Sequence, residues 1–209
     1  MRVALALLLL LGGCGDSPWG AVSDRVGELI RPPAAEDPPP AADRALSVTL
    51  GRRRAQVALL QELGERRLWR SPGGIVIATE GVRVVATSGL SQVLAATRFE
   101  EPDPLARPAT LLEGAATAHR LVDLMTSRRD PAGMRFGVQV TCRLSADPTP
   151  EPGVLAVEEH CRAGRLGRFT NRFWVEEGGG WLRSEQWIGP GLPMLALEPV
   201  GPEPAEGGE

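Results

Sequence analysis

The chain contains no lysine and no tyrosine, and it has only two histidines and three cysteines. Without lysine it forms no Schiff base, anchors no pyridoxal phosphate and builds no Walker A phosphate loop. All 23 basic residues are therefore arginines, and the formal net charge is −3. A mildly acidic chain without a long basic run is a poor nucleic-acid binder, so we predict no nucleic-acid partner.

Long apolar runs are also scarce. The longest, residues 3–11, is well short of the roughly 20 residues that a membrane-spanning helix needs. It follows Arg2 and precedes two glycines and Cys14, the three-part pattern of a bacterial lipoprotein signal. We predict that residues 1–13 are a signal peptide and that Cys14 carries a diacylglycerol and an N-acyl chain such as palmitate. A secretory signal with an incidental cysteine is the alternative.

The residues after Cys14 bear on the destination of the lipoprotein. An aspartate directly after the cysteine commonly retains lipoproteins at the inner membrane. Here Gly15 occupies that place and Asp16 follows it. The sequence therefore favours the outer membrane, with the protein on its periplasmic face and held there by several acyl chains.

Composition divides the rest of the chain into three parts. Residues 14–44 form a lipidated N-terminus and a proline-rich tether, because closely spaced prolines favour an extended spacer. Residues 45–198 are long enough for one domain with a hydrophobic core. Residues 199–209 are acidic and rich in proline and glycine, and we predict a disordered tail.

The domain has the pattern of an all-β protein. Short β-branched runs with period-two alternation are separated by glycine and proline turns, which is typical of an antiparallel meander. We predict a single sandwich or barrel-like domain. Residues 114–125 fit a helix or a strand equally well. The predicted strands are residues 47–50, 56–60, 67–70, 75–79, 82–87, 135–144, 154–162, 169–176 and 181–188.

Two cysteines remain after Cys14 is assigned to lipid. Cys142 and Cys161 are an even pair in an oxidising compartment, which favours a disulfide over two separate buried thiols. With His119 and His160 they offer four ligands for zinc, but the spacing matches no compact zinc motif. We therefore predict no metal site.

The sequence offers little for catalysis. Glu158-Glu159 looks like a pair of carboxylates, but neighbours on a strand point to opposite faces and cannot flank one scissile bond. Solvated strand ends are the favoured interpretation. No serine lies in a Gly-x-Ser-x-Gly elbow. We predict no catalytic residue and no cofactor beyond the covalent lipid on Cys14.

Tryptophans and arginines are the candidates for binding. Trp69 and Trp187 are either core residues, the favoured interpretation for a small β domain, or glycan contacts. Arginine clusters at residues 52–54, 66–67 and 128–129 are either solvated or contact anionic sugars or lipid headgroups.

Five segments follow one another along the chain in a specific order. They are residues 51–55, 68–74 and 82–90, then Asn-Arg-Phe-Trp-Val-Glu at 171–176 and Gly-Trp-Leu-Arg-Ser-Glu-Gln-Trp-Ile-Gly-Pro at 180–190. In this order they resemble the YjbF family of group 4 capsule polysaccharide lipoproteins, and the last two are similar to the closing hairpin of that family. Residues 99–134 depart most from the family pattern.

The resemblance implies an all-β periplasmic lipoprotein at the outer membrane, without known enzymatic activity, that serves the secretion of an extracellular polysaccharide or capsule. It also implies two partners, a porin-like outer-membrane protein and a periplasmic protein of the same system. It transfers no catalytic residue. A glycan-binding module with the polysaccharide as partner, or an envelope glycan-modifying enzyme, are the alternatives.

Overall fold

The structure is a computed structural model that describes residues 45–126 and 131–200. The predicted signal peptide, the lipidation site Cys14, the tether and residues 201–209 of the predicted tail lie outside these ranges. The first two residues of that predicted tail belong to the folded domain instead, since Pro199 pairs with Leu46 and the Val200 N–H donates to the Ala45 carbonyl at 3.1 Å. The described residues form twelve antiparallel strands. They are β1 Ala45–Leu50, β2 Arg53–Leu63, β3 Arg66–Arg70, β4 Val76–Glu80, β5 Arg83–Ser88, β6 Gln92–Phe99, β7 Ala116–Thr126, β8 Arg135–Pro148, β9 Val154–Arg162, β10 Arg168–Glu176, β11 Trp181–Gln186 and β12 Leu195–Pro199.

All twelve strands belong to one sheet, in the order β5-β4-β3-β2-β1-β12-β11-β10-β9-β8-β7-β6. Neighbours in the sheet are neighbours in sequence, except that the first strand pairs with the last. The two ends of the sheet, β5 and β6, meet where the Leu94 N–H donates to Thr87 Oγ1 at 3.0 Å. The sheet is therefore nearly closed and barrel-like, which confirms the all-β prediction and selects the barrel-like alternative.

The turn between β5 and β6 depends on a glycine. Gly89 has a φ of +82°, a conformation that side chains with a Cβ rarely adopt. A Cβ at this position would also lie 3.0 Å from the carbonyl oxygen of Gly74. Gly89 thus allows the chain to pass from one end of the sheet to the other within a few residues.

Period-two alternation directs one set of side chains into the interior. Phe173, Ile77, Leu144 and Leu197 are fully buried there. Residues 114–125, which fit a helix or a strand by sequence, fall largely in strand β7. Burial alternates along that strand, at Ala118, Arg120, Val122 and Leu124, because only one of its faces meets the core.

Helices are few and short in the described ranges. They are 3-10 turns of three to five residues: Pro104–Ala106, Pro108–Leu112, Pro131–Gly133 and Gly164–Leu166. Across residues 45–126 and 131–200, no helix has the length and apolar character needed to cross a membrane.

Candidate functional site

Strands β8 and β9 carry the two cysteines at facing positions. Cys142 is the register partner of Cys161, their Cα atoms lie 4.1 Å apart, and their sulfurs are joined at 2.06 Å. Both residues are buried. The bridge holds these two strands in one register, so it also fixes which side chains lie opposite each other on their outer face.

The two histidines do not join these sulfurs as a ligand set. His160 precedes Cys161 on β9 and is exposed, whereas the cysteine is buried and bonded to its partner. His119 lies on β7 beside Thr141 of β8, with its Nδ1 3.4 Å from that hydroxyl. The four residues therefore form no zinc site in the described part of the chain.

Trp69 belongs to the core. Its side chain is buried, and its indole N–H donates to Thr79 Oγ1 at 3.0 Å. A buried ring whose polar atom is already bonded offers no face to a sugar. Trp69 is therefore a core residue, as the favoured interpretation of the sequence has it, and its ring is not available for a glycan contact.

Trp187 is half-buried and packs on Phe169. The two rings are stacked with centroids 4.4 Å apart, and the backbone N–H of Trp187 donates to Asn171 Oδ1 at 2.8 Å. One face of the indole is therefore used within the protein. A glycan contact through the remaining surface of Trp187 stays a prediction.

Glu159 is fully buried, and the interpretation of this residue as part of a solvated strand end is therefore wrong. Arg83 donates to its two oxygens at 3.0 and 2.7 Å, and the Asn171 amide donates to one of them at 2.6 Å. The carboxylate thus has three donors in the interior, which replace the water that burial removed.

Three further groups complete this interior network. Arg120 lies 3.5 Å from Glu159, and Asp103, from the loop after β6, bonds the guanidinium of Arg83. The ring of Phe99 faces both guanidinium groups, at 5.1 Å from Arg83 and 5.9 Å from Arg120. Two cations and two anions therefore balance within an apolar surround.

The electrostatics of the network follow from this balance. Burial by itself would raise the pKa of Glu159, but the charges of Arg83 and Arg120 and the hydrogen bonds lower it to about 2. Burial lowers the pKa of Arg120, and Glu159 opposes that shift. Glu159 is therefore ionised at neutral pH with both oxygens occupied, so it supports the fold and is poorly placed to accept a proton from a substrate.

A cleft of about 540 Å³ opens beside this network. It is lined by Trp181, by carboxylates that include Glu65 and Glu101, and by Arg67. Its arginines are already engaged: Arg67 bonds Glu62 at 2.8 Å, and Arg83 bonds Asp103. The cleft therefore has polar groups and one indole at its wall, but no free cation among the described residues that line it.

A second concavity, of about 800 Å³, lies on the sheet over β8, β9 and β10. Three of its residues, Arg143, Arg162 and Arg168, are exposed arginines. We call it the arginine groove, defined by these three residues. The arginine clusters that the sequence reveals do not include them, because none of the three is next to another arginine in the sequence and strand pairing brings them together.

Comparison with known proteins finds a match to one family. The family model described as group 4 capsule polysaccharide lipoprotein gfcB, YjbF, matches residues 40–200. A hypothetical lipoprotein, YmcC from Escherichia coli (K12), has a crystal structure that aligns with a TM-score of 0.66 at 18% identity, over 87% of this chain and 97% of that chain. At that identity the structural likeness shows the fold alone. No curated protein sequence matches significantly.

Proposed function

This chain belongs to the YjbF family of group 4 capsule polysaccharide lipoproteins, and we propose that it assists the export or assembly of an extracellular or capsular polysaccharide without catalysing a reaction. The family match carries this proposal, because it spans every strand of the described domain. Membership in a lipoprotein family also suggests that the protein is located in the cell envelope, in association with a membrane.

The anchoring part of the proposal rests on Cys14. We infer that acyl chains on this residue hold the protein at the outer membrane, on the periplasmic face, with Gly15 rather than an aspartate next to the lipid. Several acyl chains on one residue give stable attachment, whereas a single chain gives only marginal binding. The domain then works close to a membrane-embedded partner.

A docking role is supported by the surface of strand β2. Leu60 and Leu63 are 58% and 65% exposed, although both lie in a strand of the sheet. Exposed apolar side chains mark a protein contact where they belong to a contiguous patch, and we propose that Leu60 and Leu63 belong to one. The partners we propose are a porin-like outer-membrane protein and a periplasmic protein of the same polysaccharide system.

The interior network supports a structural, non-catalytic role for the two carboxylates that it contains. Hydrolysis of a glycan commonly needs two carboxyl groups with access to the sugar. Glu159 is fully buried and bonded to Arg83, and Asp103 is bonded to the same arginine. Purified protein incubated with the native polysaccharide should release no shorter chains. Appearance of such products would favour the enzyme alternative.

The proposal is tested in a strain that lacks the gene. We expect exported polysaccharide to fall strongly, and to recover with the wild-type gene but not with Cys14→Ser. Immunoblotting of envelope fractions must show the variant at normal amounts outside the cytoplasm, so that loss of output reports loss of the anchor. Unchanged polysaccharide in the deletion strain would refute the export role, and full rescue by the variant would refute the anchoring part.

A further inference from the structure

The arginine groove is built from two rows of side chains that cross the sheet. In one row, Arg143 on β8 lies opposite His160 on β9, which lies opposite Thr170 on β10. In the other, Thr141 lies opposite Arg162, which lies opposite Arg168. The rows alternate with the buried cysteines, so these side chains share the outer face of the sheet.

The positive charges of the groove have no partner within the described protein. In the part of the chain that the structure describes, no carboxylate forms an ion pair with Arg143, Arg162 or Arg168. The adjacent row of the same face is different, since Glu158 bonds Arg172 at 3.0 Å. Glu158 also lies 3.4 Å from His160 Nε2 in the groove, but the three arginines have no carboxylate partner among the described residues.

One contact in the groove is unfavourable for folding. Arg162 and Arg168 are direct register partners on β9 and β10. Like charges at facing positions of an antiparallel pair destabilise it. An anion bound between the two strands would remove that repulsion.

We propose that the arginine groove binds acidic sugar residues, with carboxylate or phosphate groups, of the polysaccharide that the protein helps to export. This inference rests on the proposed function and adds the ligand class and its site. Planar guanidinium groups bind carboxylate and phosphate through two parallel hydrogen bonds. The hydroxyls of Thr117, Thr141 and Thr170 lie in the same concavity. Those of Thr141 and Thr170 contact histidine ring nitrogens at 3.4 and 2.9 Å, and each hydroxyl keeps further hydrogen-bonding capacity for a sugar hydroxyl.

The surroundings of the groove favour a glycan over a membrane surface. A protein face that lies on a lipid bilayer combines basic residues with exposed apolar or aromatic side chains. None of the large apolar side chains that are exposed in the described residues lines this concavity. The groove offers hydroxyls in their place.

The test compares two triple variants of the purified full chain. The first is Arg143→Gln/Arg162→Gln/Arg168→Gln. The matched control is Arg52→Gln/Arg53→Gln/Arg70→Gln, which removes the same charge from exposed arginines that have no ion pair among the described residues. The probes are polygalacturonate oligomers, neutral galactan oligomers and phosphatidylglycerol vesicles.

We expect wild type and control to bind polygalacturonate with affinities within about twofold, and the groove variant to bind at least about tenfold more weakly, since each charge-assisted contact is lost. Neutral galactan should bind to none of the three proteins. Circular dichroism spectra must be the same for all three. Equal loss in both variants, no binding by wild type, or groove-dependent binding of the vesicles without the oligomers would overturn the proposal.

The same variants separate this inference from the proposed function. The groove variant should restore less polysaccharide output than the control in the deletion strain. Normal output with the groove variant, where the deletion abolishes it, would reject the groove and retain the export role. No output defect in the deletion, with groove-dependent binding in vitro, would retain the groove and reject the export role.

Discussion

Glu158 and Glu159 are consecutive residues of strand β9, and their carboxylates lie on opposite sides of the sheet. The Glu158 side chain is 44% exposed and bonds Arg172 at 3.0 Å on the outer face. Glu159 has no exposed surface and bonds Arg83, a residue of β5, through the interior. Because side chains alternate between the two faces of a strand, two adjacent glutamates have different roles, one at the surface and one in the core.

Replacing Glu159 by glutamine should destabilise the domain severely. Glu159→Gln leaves Arg83 and Arg120 in the interior with one fewer counter-charge, and removing one partner of a buried ion pair costs about 3–5 kcal/mol. Glu158→Gln is the matched control, and an exposed pair contributes at most about 1 kcal/mol. Urea unfolding, monitored by tryptophan fluorescence, measures the free energy of unfolding of both variants. Similar losses in the two variants would contradict the assignment of Glu159 to a buried network.

If Glu159→Gln does not fold, a double replacement still tests the network. Arg83→Met with Glu159→Leu removes one cation and one anion together, and Arg120 and Asp103 remain as opposite charges that attract each other through the interior. This double variant should be more stable than Glu159→Gln, because it leaves no net charge buried. A double variant that is less stable than the single one would argue against charge balance as the cause.

Acid should weaken the domain through the same residue. The pKa of Glu159 is lowered from an ordinary 4.5 to about 2, so the unfolded state takes up a proton first as the pH falls. The stabilisation is fully present above about pH 4.5 and is lost as the pH approaches 2. The stability difference between wild type and Glu159→Gln, measured by denaturation at several pH values, should shrink across this window. A difference that stays constant would contradict the lowered pKa.

The disulfide should contribute measurably to stability. Cys142 and Cys161 are 19 residues apart, and closing a loop of about that length in the unfolded chain stabilises the folded state by roughly 3 kcal/mol. A reducing agent should therefore lower the melting temperature of the wild type and leave Cys142→Ala/Cys161→Ala unaffected. Mass spectrometry of the unreduced protein should find the two cysteines linked. Free thiols at both positions would reject the bridge.

The facing arginines of the groove should lower the stability of the domain. Arg162→Glu replaces a like-charge pair by an opposite pair with Arg168, so the melting temperature should rise at low salt. Raising the ionic strength should reduce the gain, because exposed charges are screened. Arg70→Glu, at an exposed arginine outside the groove, is the comparison. A fall in stability for Arg162→Glu would show that these arginines do not repel each other.

The strands that the sequence predicts correctly include short β-branched runs with a turn signal at each end. The predicted strands at 75–79 and 82–87 correspond to β4 and β5, since Ser71-Pro72-Gly73-Gly74 and Glu80-Gly81 mark their boundaries. The sequence predicts no strand at β6 or β12. Polar and small residues occupy part of β6, and β12 is only five residues long, so neither has a strong period of its own.

The interior network is harder to predict for a different reason. Arg83, Asp103 and Glu159 are distant in sequence and meet only because β5 and β9 face each other through the interior. A single sequence gives no signal for such a meeting, and two consecutive glutamates resemble a solvated strand end. The hydrogen-bond partner of Trp69 is equally hard to predict, because the hydroxyl that accepts from its indole belongs to Thr79 on the next strand.

The sheet is complete only when its last strand, β12, pairs with its first strand, β1. Leu46 pairs with Pro199, and the Val200 N–H donates to the Ala45 carbonyl at 3.1 Å. Until the final strand is in place, β1 and β11 are both open edges, available to another chain. A nonsense mutation that removes β12 would therefore spare the other strands and still yield a protein prone to self-association.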